Sequence, residues 1–280
     1  MTKKFFYFLL SIITIFLLVI FYLSIFGLKT DRFNNSINNK IKEEFPLINF
    51  EFKKINLVLR PINLKIQLKT ENAIIKSQKS NIEIKKISTE YNIFAFLKKE
   101  FAIENIFVET KKNKILDLFK LAKLRKNSIQ LLLAENFIQD GNIILTARIN
   151  FDKKGNIKDD FQVSGSINKL SLRAYNNINL KNIETSFIFS NSNLAFRDTK
   201  FDYFDLKVVS SEILIEDKKE FFIVKGSIEN KRSKIGDKIL NIFFKESIFE
   251  EIVATTNNNF SFKLGKKFNI SDLSVKSFID

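Results

Sequence analysis

The chain has 280 residues, 45% of them hydrophobic and 28% charged, a folded composition with room for one large domain or two modest ones. It has no Cys and no His, which removes disulfides, thiolate chemistry, Cys-ligated zinc, iron–sulfur clusters and the commonest general base, and 7 Gly leave no glycine-rich phosphate loop. The formal net charge of +15 has two readings: a solvated surface rich in Lys and Asn, or long-range attraction to anionic headgroups or nucleic acid.

Residues 1–4 are a short basic leader with Lys3 and Lys4, and residues 5–28 carry no charge. At 1.5 Å per residue that apolar run reaches about 36 Å, enough to cross a roughly 30 Å hydrocarbon core with some tilt. Tyr7 and Tyr22 stand near its ends, where amphipathic rings prefer the interface. The rival reading is a cleaved signal peptide, whose apolar core is about 7–15 residues and ends in a small-x-small site. "YLSIFGLKT" offers no such site, so the run reads as an uncleaved signal-anchor with a cytoplasmic N-terminus. Lys29 and Arg32 beyond it weaken that charge asymmetry. The remaining chain then lies on one side of a bacterial inner membrane, in the periplasm. Residues 29–46 read as a juxtamembrane amphipathic helix: Asp31 as cap, Phe33, Ile37, Ile41 and Phe45 at every fourth position, Pro46 as stop. It either packs under the domain or lies on the headgroups.

From Ile48 the apolar period shortens from 3.6 to 2. Ile55, Leu57 and Leu59 fall on one side of a strand, and after a break at Pro61 the residues Ile62, Leu64, Ile66 and Leu68 share a face. "NIEIKKIS" continues the alternation, "TEYNIFAFLKKE" reads as a helical turn or two, and "FAIENIFVET" as a strand. "NKILDLFKLAKLRK" reads as a helix capped by Asn113, with Ile115, Leu118 and Phe119 as its stripe and cations toward its C-terminal end. Asp140-Gly141, between "IQLLLAENFIQ" and "NIILTARINFD", signals a hairpin. Strands spaced about 8–12 residues apart follow, then an amphipathic helix over Ser233 to Ile252 with Ile235, Ile239, Ile242, Phe243 and Phe249 as its stripe, then a strand-like close.

The fold class is therefore α+β, mostly β: an N-terminal transmembrane helix, then over 47–280 a long, curved, mainly antiparallel sheet forming a groove with a few short helices. Alternating strands present one apolar face, which a second sheet, helices or a non-protein ligand must cover. A closed sandwich and an open trough holding acyl chains both satisfy this.

The layout resembles the AsmA-like family. The resemblance rests on the basic leader, single anchor and adjacent helix running into "FPLINFEFKKINLVLRP". It rests also on "NIEIKKISTEYNIFAFLKKEFAIENIFVETKKNKILDL", a strand, short helix, basic turn, strand and helix. The third part is "FQVSGSINKLSLRAYNNINLKNIETSFIFSNSNLAFRDTKFDYFDLKVVSSEILI", similar to the family's Gly-x-Ile-x-x-Leu strand and its successors. Together these cover most of residues 1–230. The resemblance implies a twisted β-groove, an inner-membrane anchor and a role in lipid transport between membranes and outer-membrane homeostasis. Roughly 12–14 strands at about 4.8 Å each reach about 60 Å. Against the longer family members, that implies a short member handing lipid to another envelope protein, or the N-terminal part of a longer chain.

The candidate acyl contacts are same-face apolar sets: Ile62, Leu64, Ile66 and Leu68; Ile143, Leu145, Ile149 and Phe151; Phe187 and Phe189; Leu194 and Phe196; Val208; Ile213 and Ile215; Phe221 and Ile223. Each set also reads as ordinary core. Lys111, Lys112, Lys114, Lys120, Lys123, Arg125 and Lys126 are candidates for headgroup contact or a solvated helix face. Adjacent carboxylates such as Asp159 and Asp160 point to opposite sides of a strand and do not converge as acid and base. No cofactor, metal or catalytic residue is expected, and the partners expected are phospholipid, the inner membrane and envelope proteins that continue the lipid path. A closed interaction module in envelope assembly is the alternative. Nucleic acid is not expected, because Phe alternates into the apolar face instead of interleaving with Lys on an exposed platform.

Overall fold

The computed structural model describes residues 2–78, 80–125, 129–173, 179–204, 206–236, 251–266 and 269–280. They form two compact units, Met1–Lys111 with Ala147–Phe161, and Lys112–Thr146 with Gln162–Asp280.

The first unit starts with helix α1 (Thr2–Ile25), within which Lys3–Ile25 is long and apolar enough to cross a membrane and residues 3–19 are exposed. Gly27 then turns the chain with φ 69°, where a Cβ would stand 2.6 Å from the Leu57 carbonyl oxygen. Next come β1 (Leu28–Thr30), helix α2 (Asn34–Glu44), β2 (Asn49–Glu51) and β3 (Ile55–Arg60). A 3-10 turn at Pro61–Asn63 leads to β4 (Lys65–Lys76), β5 (Asn81–Asn92), helix α3 (Ile93–Leu97) and β6 (Ile103–Thr110). The hydrogen-bonded order is β1-β3-β4-β5-β6, antiparallel where the registers are fixed, with β2 on the far half of β4. Asp31 does not cap α2 with its side chain; its carbonyl oxygen accepts from the Asn34 N–H at 2.9 Å. The short helix expected after β5 is α3, capped by the Asn92 side chain, which accepts from the Ala95 N–H at 3.0 Å.

The second unit holds β7 (Asn113–Lys114), helices α4 (Ile115–Arg125) and α5 (Ile129–Phe137), and β8 (Ile138–Asn150), whose residues 147–150 belong to the first unit. There follow β9 (Gln162–Arg173), β10 (Asn179–Ser190), β11 (Asn193–Tyr203), β12 (Leu206–Asp217), β13 (Phe221–Gly236), β14 (Glu251–Gly265) and β15 (Ile270–Ile279), each neighbour to the next in one antiparallel order.

Three expectations change here. Residues 129–137 are helical, and β8 runs straight through Asp140-Gly141 with no hairpin. "IQLLLAENF", with three Leu and the helix formers Gln, Ala and Glu, favours helix, and Gly141 serves a close approach: a Cβ there would lie 3.0 Å from Leu170 Cα and from Ile115 Cδ1. Asn113 is a buried residue of β7 and not a helix cap. The helix expected over Ser233 to Ile252 is strand at both ends, since β13 runs to Gly236 and β14 starts at Glu251; its centre, with Ile239, Ile242, Phe243 and Phe249, lies outside the described residues.

The core of the second unit gathers Ile115, Ile143, Leu170, Ile183 and Phe187, with Leu118 and Phe119 of α4 packed against them. Its apolar face survives a change of parity in three strands. In β9, Val163 and Ile167 give way to Leu170 and Leu172; in β10, Leu180 gives way to Ile183 and Phe187; in β11, Leu194 and Phe196 give way to Phe201. Each switch has one residue in the left-handed region, Lys169 (φ 54°), Asn182 (φ 52°) and Asp198 (φ 51°). In β9 and β10 it coincides with a register shift.

Candidate functional site: an apolar hollow beside a membrane-length helix

Strand register builds a greasy floor in the first unit. Leu28 of β1 pairs with Leu57 of β3 and Leu57 with Leu68 of β4; in the next row Leu59 pairs with Ile66, and Ile66 with Tyr91 of β5. Residues directly opposite in antiparallel strands point to the same side, so both rows face one way, along with Ile55. Helix α2 covers this floor with Phe33, Ile37 and Ile41, and Leu23 closes it from the last turns of α1. Between them is a hollow of about 760 Å³, within the size range of small-molecule pockets. Its lining carries one charge, Lys40, whose ammonium stands 3.9 Å from Glu43 on the exposed side of α2. Ser36 is the other polar residue of the helix on that lining. Such a space, joined directly to the end of a membrane-length helix, offers burial without directional bonding.

The same unit has a second, polar hollow of about 620 Å³, with Asn92, Glu104, Asn105 and Lys158 among its lining residues. Glu104 accepts from Asn92 Nδ2 at 2.6 Å and pairs with Lys65 Nζ at 2.6 Å, while Glu90 stands 3.5 Å from the same ammonium. Burial pushes the Glu104 carboxyl upward, but its bonds to Lys65 and Asn92 prevail and hold it below the usual carboxylate range. The bond to Glu104 raises Lys65 above the ordinary lysine value. The network is satisfied internally, and among the described residues no group of three or more carboxylates is placed to hold a metal ion.

The predicted acyl contacts separate into distinct places. Ile66 and Leu68 line the apolar hollow. Ile62 and Leu64 do not share their face: Ile62 sits in the 3-10 turn, 97% exposed, and Leu64 is left-handed at φ 47°, because Pro61 opens a turn instead of a bend within one strand. Ile143, Leu145, Phe187, Leu194 and Phe196 lie in the cluster beneath α4. Register places Phe187, Phe196 and Ile213 in one row, and Phe189, Leu194 and Ile215 in the next. Val208 packs with Leu206. Phe221 and Ile223 lie on the opposite side from these rows, since Ile215 pairs with Val224 and Ile223 pairs with Glu216 and Lys263; the residues of β13 that continue the apolar rows are Phe222 and Val224. Ile149 and Phe151 belong to the first unit, where Phe151 packs on Phe101 with ring centroids 5.5 Å apart.

Of the basic residues, Lys111 pairs with Glu83, Lys120 with Asp117 and Lys123 with Glu135, while Lys112 and Lys114 are exposed. Arg125 ends α4, and Lys126 lies outside the described residues. In the sequence the α2 stripe and the Ile55–Leu59 alternation stand as separate patterns. Sequence reading missed that they face each other, along with Leu23, Leu28 and Tyr91. Two amphipathic patterns of different period, joined by a short link next to a membrane-length apolar run, were the available signal.

Compared with protein-family models, curated proteins and solved structures, the chain matches none.

Proposed function

We propose that this protein is an inner-membrane-anchored, periplasmic binder of phospholipid, in the manner of the AsmA-like family it resembles. Acyl chains occupy the hollow beneath α2 and pass along the apolar face of the strands as a groove, and no covalent chemistry or cofactor is involved. The observation that carries this reading is the hollow itself: about 760 Å³, lined by aliphatic and aromatic side chains apart from Ser36 and Lys40, and bounded by Leu23 of a helix able to cross a membrane. Partners would be phospholipid and the envelope proteins that take it onward.

The test is lipid extraction and mass spectrometry of the full chain purified in a mild detergent. Co-purifying phospholipid is expected, and its loss in an Ile37→Glu, Ile41→Glu double variant, which puts two charges into the hollow. Lipid-free protein, or unchanged lipid in the variant, overturns the reading.

A second reading has its own observation. In the second unit Ile143, Leu145, Phe187, Leu194 and Phe196 pack with Leu118 and Phe119 into closed core, as in an interaction module for envelope assembly. Crosslinking that captures a protein partner from that unit and no lipid from the hollow would favour it.

A further inference from the structure

Strand β15 has β14 as its one hydrogen-bonded neighbour among the described residues. All ten of its residues are exposed, including Val275, Phe278 at 65% and Ile279 at 73%. Natural edges are blunted by shortness, lysines, proline or a covering element. β15 is ten residues long with a single lysine, Lys276; its register shift and the left-handed Asp272 (φ 52°) lie before Ser274 and leave Val275 to Ile279 a regular run.

Which backbone groups of β15 are free follows from its last bond pair. Asp280 and Thr255 exchange both hydrogen bonds, at 2.8 and 2.9 Å. Alternate residues repeat that arrangement, so Phe278 and Lys276 bond toward their opposites on β14, Asn257 and Asn259. Val275, Ser277 and Ile279 therefore direct their N–H and C=O groups outward.

We propose that this edge pairs with itself. Two copies of the chain join antiparallel through β15, with Ser277 opposite Ser277 on the two-fold axis. This register uses the outward groups of Val275, Ser277 and Ile279 on both copies. It sets Val275 against Ile279 on one side of the new pair, continuing the row that reaches Val275 from Phe260. On the other side it sets the Lys276 ammonium against the Phe278 ring. The sheet already makes that contact elsewhere, with Lys266 Nζ 3.6 Å from the Phe222 ring centroid and Lys263 Nζ 5.2 Å from that of Phe221. Sliding to the adjacent outward-bonded registers brings Lys276 onto Lys276, or puts Ser277 against Ile279 and separates the Lys276 ammonium from the Phe278 ring. The inference does not depend on lipid binding.

The absence of Cys makes the test direct. Sedimentation of the detergent-solubilised full chain is expected to show a monomer–dimer equilibrium up to tens of micromolar protein. Under mild oxidation Ser277→Cys is expected to form a disulfide dimer, and Ser274→Cys, away from the axis, is not. Ser277→Pro removes an outward N–H while sparing the bonds to β14, and is expected to abolish the dimer with an unchanged circular dichroism spectrum. Should that variant fail to fold, the two cysteine variants decide. A chain that stays monomeric with no Ser277→Cys disulfide, equal crosslinking at both positions, or a dimer that persists in folded Ser277→Pro, overturns the proposal.

Discussion

Glu104 acts at three points with one carboxylate: it neutralises Lys65, it fixes the Asn92 amide, and through Asn92 it supports the cap of α3. Glu104→Gln keeps the shape but loses the charge, and is expected to cost about 1 kcal/mol at neutral pH, below the range of buried charge-assisted bonds because water reaches the pair. Its pH dependence has a definite sign. The folded carboxyl titrates below its unfolded value of about 4.3, so its contribution is present above that value and lost as pH falls through the lower folded one. The variant is expected to show a shallower decline in urea midpoint between neutral pH and the acid limb; parallel declines would show that the carboxylate contributes nothing. Gly141 is constrained differently. Ile115 Cδ1 and Leu170 Cα, both 3.0 Å from the site of a Cβ, belong to the core of the second unit. Gly141→Ala is expected to destabilise by about 1–3 kcal/mol as overpacking, read as a lower urea midpoint at constant m-value.

The elements most legible in the sequence are those whose pattern is their own: the membrane-length helix with its charge-free run from Phe5, the Phe33–Ile37–Ile41 stripe, and the period-2 run Ile55–Leu57–Leu59. Those misread depend on something distant. "IQLLLAENF" is apolar enough for either state, and an Asp-Gly pair is a turn only where the chain reverses; Gly141 is present because Leu170 approaches it. Likewise no local signal says that the apolar parity changes at Lys169, Asn182 and Asp198, because left-handed residues within a strand do not disturb the hydrophobic count. The buried hydroxyls near one switch reflect the local geometry: Thr185 Oγ1 lies 3.1 Å from the Arg197 carbonyl oxygen and 2.8 Å from Thr199 Oγ1. If Asp198 holds that conformation for the alignment of Phe196 and Phe201, Asp198→Gly is expected to be near neutral. Asp198→Val should cost about 1–2 kcal/mol, since a β-branched side chain resists positive φ. Equal midpoints for the two variants in chemical denaturation would remove this explanation.

At the scale of the whole molecule, two properties compete as the cause of the proposed lipid binding: the net charge of +15 and the apolar hollow. They respond differently to salt. Charge acts through a field screened within about 8 Å at physiological ionic strength, and many lysines are already paired, among them Lys65 with Glu104 and Lys225 with Glu216. Burial of an acyl chain against Leu57, Leu59 and Ile66 is insensitive to screening. A phospholipid carrying a photoreactive group midway along its acyl chain is therefore expected to label the hollow-lining strands β3 and β4 equally at low and high sodium chloride in detergent–lipid micelles. Labelling should fall several-fold in the Ile37→Glu, Ile41→Glu variant at both. The number of labelled molecules, mapped by peptide mass spectrometry, distinguishes the two causes: labelling that vanishes with salt and survives the double variant would assign lipid association to the basic surface and leave the hollow without a ligand.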